Sequence, residues 1–194
     1  MKSFTLSTLI AMIGGTLIVA GLTPKSEKLP SETKHMPPDQ TLIKRGEYLV
    51  GIMGCNDCHS PKTMGAQGPE PIADKLLSGY PAGRPLPTRN SEALNEWVLF
   101  NSDNTAAAGP WGISFAANLT SDATGIGNWT EEQFKRALTQ GKAKGIASNR
   151  MLLPPMPWTN YRGIKDADLK AIFAYLKSTK PVANVVPAPI PPGR

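Results

Sequence analysis

The pentapeptide CNDCH, Cys55 to His59, holds both cysteines of this 194-residue chain and one of its two histidines. Two thiols with two residues between them, followed at once by an imidazole, suit three chemistries. A dithiol redox site wants a low-pKa thiol at a helix start after a strand, in a βαβ setting. The segment before Cys55 reads as helix, and no parallel-sheet pattern is visible. A tetrahedral zinc site needs four ligands. Cys55, Cys58 and His59 give three, and the fourth would have to be the distant His35 or a carboxylate. In the third chemistry the two thiols form thioethers with the vinyl groups of a haem, and the adjacent histidine sits beneath the iron. The residues favour this third reading, with one covalently bound haem c as the cofactor.

A haem-bearing C-x-x-C-H fits an exported chain, and the N-terminus reads as one. Phe4 to Leu22, "FTLSTLIAMIGGTLIVAGL", follows Lys2 and carries no charge. As a helix it would span roughly 28 Å, close to a bilayer core. Residues 1–22 are therefore a signal peptide or a retained membrane anchor. Either places the remainder on the periplasmic side, soluble after cleavage or held at the cytoplasmic membrane. No cysteine lies near Leu22 to take a lipid. Residues 23–38 are polar and proline-containing and read as a flexible linker, in which His35 is a solvated side chain.

The folded domain is expected over 39–182. Leu42, Ile43, Leu49, Val50 and Met53 recur at near-helical spacing, with Asp39 as a cap, so one helix leads directly into CNDCH. Thr130 and Gln133 have capping-box spacing ahead of Phe134, Ala137 and Leu138, and Gly141 is a stop. Asp166 to Ser178 carries acids in its first turn, Lys177 in its last, and an apolar face of Leu169, Ile172, Phe173 and Leu176. Ser91 to Phe100 is read as a fourth helix. No hairpin pattern and no internal repeat is visible. The 18 Gly and 19 Pro imply long irregular loops. The proline-rich tail, 183–194, is expected to be extended and largely uncovered, or to lie across the domain.

These segments resemble the single-haem c-type cytochromes. The likeness rests on CNDCH, "RGEYLVGIMG" before it, "NLTSDATGIGNWTEEQFKRALTQG", "LLPPMPW" and "DADLKAIFAYLKS". It runs from about Asp39 to Val182 and is nearest to longer bacterial members, such as cytochrome subunits of membrane-bound dehydrogenases. It implies an all-α fold of about four helices around one covalently bound haem. It also implies that the first and last helices cross near Gly46 and Tyr175.

The second axial ligand separates the possible functions. Histidine alone leaves the iron open to substrate or gas, whereas a methionine thioether closes it and raises the potential. Of the seven methionines, Met1, Met12 and Met36 lie before the domain, and Met53 and Met64 flank CNDCH. Met151 and Met156 remain, on "NRMLLPPMPWTNYRG". Met156 stands between Pro155 and Pro157, whose fixed φ stiffens the loop, and the resemblance places the ligand at this PPMP position. Met151, or an open sixth position, is the alternative. Trp158 and Tyr161 on the same loop, and by resemblance Trp129 and Asn118, are candidates for packing on the ring or bonding a propionate; a plain core role is open for each.

No acid–base pair or nucleophile stands out. The expectation is an electron-transfer protein, not an enzyme, with a haem enzyme or gas-binding protein as the alternative. The net charge of +6 comes from 21 Lys and Arg against 15 Asp and Glu. It favours an acidic docking face on redox partners or on dehydrogenase or oxidase subunits, and possible contact with anionic lipid. Lys142, Lys144 and Arg150 are too dispersed for nucleic acid.

Overall fold

The computed structural model describes residues 38–86 and 92–192. The segment read as export signal and the linker as far as residue 37 lie outside them, and the last linker residue, Pro38, is helical. Helix α1, Pro38–Ile52, places Gly46, Leu49 and Val50 on one buried stripe. It begins one residue before Asp39, with Pro38 in the first turn, where its missing N–H is no loss. Gly54, in the left-handed region, reverses the chain into a short helix, α2, Cys55–His59.

Helix α3, Glu131–Gln140, has the expected capping box: the Thr130 hydroxyl accepts from the Gln133 N–H, and Gln133 accepts from the Thr130 N–H. Gly141 ends it at φ 67°. Helix α4, Asp166–Ser178, buries Leu169, Ala171, Ile172 and Leu176. It packs along α1, tied at its start by Arg45 to Asp168 at 3.0 Å. Leu49, Val50, Leu77, Ile126, Phe134, Leu138, Leu169, Ile172 and Leu176 form one continuous core. Each such side chain is worth roughly 1.5–3 kcal/mol on burial. Phe173 is half-buried and stacks on Phe134 with ring centroids 5.3 Å apart.

The helical frame is as expected, but the fold is not all-α. Two small antiparallel sheets sit between α2 and α3. Strands β1, Lys62–Gly65, and β2, Gly68–Pro71, form a hairpin. Strands β3, Leu99–Phe100, β4, Ala106–Gly109, and β5, Gly112–Phe115, form a sheet in the order β3-β4-β5. The expected helix over Ser91 to Phe100 is reduced to a 3-10 turn at Glu92–Asn95, and Ser91 lies outside the described residues. The reason is local. Trp97 to Phe100 is aromatic, β-branched and apolar, a composition that suits a pleated surface, and Leu99 and Phe100 pair with Ala108 and Ala107.

The tail is extended, and it lies across the domain. Ile113 and Ile190 exchange backbone hydrogen bonds at 2.8 and 2.9 Å. Asn184 donates through its side chain to the carbonyls of Ser78 and Tyr80. Among the described residues no helix is long and apolar enough to cross a membrane.

A candidate haem site

Both thiols of α2 are free and half-buried. Burial pushes the Cys55 thiol up to about 11, with the Asp57 and Cys58 charges adding to the rise against an opposing backbone hydrogen bond. Burial also raises Cys58, and Lys62 only partly offsets it. A dithiol redox centre needs a thiol shifted the other way. Among the described residues no group of three or more His, Cys, Asp and Glu side chains stands together as a metal site would require.

His59 is held for a different task. Its Nδ1 lies 2.7 Å from the Ala117 carbonyl. A carbonyl only accepts, so Nδ1 carries the proton and Nε2 keeps its lone pair. Burial lowers the pKa of the ring, against the pull of that hydrogen bond, which favours the neutral imidazole that a metal requires. The carbonyl is placed by the sheet. Beyond β5, Ala116 is paired on one side with Thr105 and on the other with Tyr80. Gly79 makes the close approach possible: at φ 77° a Cβ would stand 2.5 Å from the Ala116 carbonyl oxygen. The His59 carbonyl in turn accepts from the Gly79 N–H at 2.8 Å.

Two further anchors fix α2. The fully buried Ser60 hydroxyl donates to the Asn56 side chain at 2.7 Å and accepts from the Leu77 N–H. The Lys62 ammonium lies against the carbonyls of Asp57, Ser60 and Asp103. Sequence reasoning named neither Ala117 nor Lys62. A backbone carbonyl leaves no mark in a sequence, and only the three-residue offset of Lys62 from His59 could have pointed to it.

The methionines separate cleanly. Met64 is 77% exposed on the hairpin, and Met151 is 40% exposed with its backbone bridged to Lys142. Met156 packs against the same core as Cys55 and Met53. Its strap is pinned where the Ser114 hydroxyl donates to the Pro154 carbonyl at 2.6 Å, and where the Trp158 N–H donates to Met156 at 2.9 Å. Tyr161, at the end of this strap, is raised in pKa by burial and lies near enough to Cys55 and Cys58 for thiolate charge to raise it further. Its hydroxyl reaches the Met53 carbonyl at 3.5 Å. The strap from Met156 to Tyr161 is thus brought to the cysteine helix.

The remaining candidates divide. Trp129 is half-buried against the core. Trp158 lies on the α-carbon of Gly141 and under the Arg162 guanidinium, 4.5 Å from its ring centroid. Asn118 is buried and committed to the protein: its amide donates to Thr124 and Val182, and its oxygen accepts from the Thr120 N–H and hydroxyl.

Haem fits this arrangement. The donor set is two half-buried free thiols and a neutral imidazole whose Nε2 keeps its lone pair. Met53, Leu119, Trp129, Met156, Tyr161 and Ile164 are apolar or aromatic side chains left only partly covered around the core, the kind of wall an apolar ring would complete.

A family profile described as cytochrome c matches residues 43–180. The gluconate 2-dehydrogenase cytochrome c subunit of Pantoea cypripedii is 29% identical over 181 residues, covering 92% of this chain and 30% of the relative. The fructose dehydrogenase cytochrome subunit of Gluconobacter japonicus is 31% identical over 168 residues, 86% of this chain and 27% of the relative. A nicotinate dehydrogenase subunit of Pseudomonas putida is 39% identical over 89 residues, 45% of this chain and 7% of the relative. The chain therefore spans less than a third of each relative's length. With the profile running from the middle of α1 to the end of α4, this chain belongs to the cytochrome c family of electron-transfer proteins, and its cofactor is haem c.

Proposed function

We propose that the chain is a single-haem electron carrier in which Cys55 and Cys58 hold the haem covalently and His59 and Met156 are the axial ligands. The observation that carries this reading is the His59 Nδ1 contact to Ala117 at 2.7 Å. It fixes the tautomer, leaves the Nε2 lone pair uncommitted to that bond, and holds the ring in place. When bound, the haem supplies an iron that alternates between ferrous and ferric states.

The protein's part is to hold and to exclude. The two thioethers would anchor the ring to α2, a helix already fixed through Ser60 and Lys62. Met156 would close the other side from a strap stiffened by Pro155 and Pro157, so little ligand movement accompanies electron transfer. The half-buried apolar wall keeps water from the ring and the dielectric low. The chain performs no bond-making on a substrate; it passes electrons.

The uncharged Phe4–Leu22 segment supports a setting outside the cytoplasm. We place it on the periplasmic side, either released after cleavage or anchored. There it would serve redox partners or the subunits of a membrane dehydrogenase or oxidase, and the net charge of +6 suits an acidic docking face. The test is covalency. Haem should remain with the purified chain through acid–acetone extraction and on a denaturing gel stained for peroxidase activity, and Cys55→Ala or Cys58→Ala should reduce or abolish this. Haem that leaves the wild-type chain freely would overturn the attachment.

A further inference from the structure

A helix as short as α2 leaves most of its C-terminal carbonyls without intrahelical partners. Lys62, three residues past His59, meets them. Its Nζ lies 2.6 Å from the Asp57 oxygen, 3.1 Å from that of Ser60 and 2.9 Å from that of Asp103, with Asn56 more distant at 3.5 Å. An ammonium has three donors and no acceptor, so the three short contacts use all of them. The Asp57 carbonyl belongs to the peptide bond leading into Cys58, and the Ser60 carbonyl follows His59. The cation therefore brackets the backbone of both residues.

Its third partner belongs to a separate loop. The Asp103 carboxylate is locked by Arg84 at 2.6 and 3.0 Å, by the Thr105 hydroxyl at 2.6 Å and by Asn101 at 2.8 Å. Lys62 thus clips α2 to a rigid mount. All four oxygens it meets are uncharged, so its positive charge is held rather than cancelled by them. The two acids close by are differently placed: Asp103 is paired with Arg84, and Asp57 is exposed to solvent, where screening weakens it.

We propose that Lys62 is a positioning residue for the haem site, clamping the backbone on either side of Cys58 and His59 and holding beside them a positive charge that raises the reduction potential. A fixed cation disfavours the ferric state, which carries one more positive charge than the ferrous state. The inference rests on the haem reading above.

The experiment compares the full-length holoprotein with Lys62→Arg and Lys62→Met by redox titration, and follows the Lys62 ammonium protons of the wild type by nitrogen-15 NMR. The expected result is a lower potential for Lys62→Met, a potential near wild type for Lys62→Arg, and ammonium protons that exchange more slowly than those of surface lysines. A role confined to stability would weaken both variants without separating their potentials. Equal potentials in Lys62→Met and wild type would overturn the proposal. If Lys62→Met does not accumulate with haem, the wild-type measurement decides: protons that exchange as fast as those of other lysines overturn the clamp. A wild-type chain that binds no haem is a separate outcome and refutes the haem reading.

Discussion

The α-carbon of Gly46 lies against the backbone of Ala171, so close that a Cβ at Gly46 would stand 1.9 Å from the Ala171 oxygen and 2.7 Å from the Cβ of Tyr175. This is the crossing of α1 and α4, and it sets where α1 delivers the cysteine helix. Gly46→Ala should destabilise the fold by about 1–3 kcal/mol, because backbone cannot yield to an added methyl as a side-chain end can. A Cβ at Gly51, on the same helix, would meet nothing within 4 Å beyond the helix's own backbone. Gly51→Ala should therefore stabilise by about 0.5–1 kcal/mol through helix propensity alone. Denaturant unfolding of the pair checks both signs at once.

The Asp103–Arg84 pair should make stability fall in acid. Burial acts to raise the Asp103 pKa, but hydrogen bonds from Arg84 and from the Thr105 hydroxyl and N–H, with the Arg84 charge, outweigh it and hold the carboxyl well below the usual carboxylate range. A folded pKa below the unfolded value of about 3.9 means the contribution is complete above that value and is lost as pH falls further, toward the depressed folded pKa. Asp103→Asn should cost about 1–3 kcal/mol at neutral pH, since Arg84, itself one-third exposed, and the donors of Thr105 and Asn101 lose their charged acceptor. Its deficit against wild type should shrink below about pH 4. A deficit that stays constant with pH would show that the charge is not what matters.

Asn118 should govern the tail. Its amide donates to the Val182 carbonyl at 2.8 Å, while its oxygen orders Thr120. Asn118→Ala should cost about 1–3 kcal/mol for the buried groups left unpaired. Hydrogen exchange should show Ile190, which donates to the Ile113 carbonyl, losing protection before the core of α4 does.

Docking should respond to salt. With a net charge of +6, electron exchange with an acidic partner should slow as ionic strength rises, because exposed charges are screened beyond about 8 Å at physiological salt. Stopped-flow rates that do not move with salt would point to an apolar docking face.

How much of this was legible in the sequence depended on whether the determinant was local. Thr130 with Gln133 and the apolar stripe of α4 announce their helices because capping and periodicity act within a few residues. CNDCH announces its cofactor for the same reason. The sheets were not legible. Strand β4 is mostly alanine, a poor strand former, and its small side chains are needed because Ala106 and Ala107 are buried. Strand β2 contains two prolines, Pro69 and Pro71, which argue against a strand unless it lies at an edge, as it does here. Trp97 to Phe100 contributed apolar residues that fit a short helix as well as a strand; cross-strand partners decided between them. At the proposed site, Cys55, Cys58 and His59 were nameable by type and spacing, and Met156 by its flanking prolines and the family resemblance. Ala117 was not, because it acts through a carbonyl oxygen that every residue has.

The ligand pair His59 and Met156 is tested by the optical spectrum of the oxidised protein, compared among wild type, Met156→Ala and Met151→Ala. Wild type should be low-spin with a sulfur-to-iron charge-transfer band. Met156→Ala should keep its haem, lose that band, become high-spin or take up imidazole, and fall in potential. Met151→Ala should keep the wild-type spectrum, since that side chain is 40% exposed with its backbone turned to Lys142. A band that survives Met156→Ala, or that disappears in Met151→Ala, would contradict the assignment; a wild-type spectrum without the band would place an open or differently ligated iron at this site.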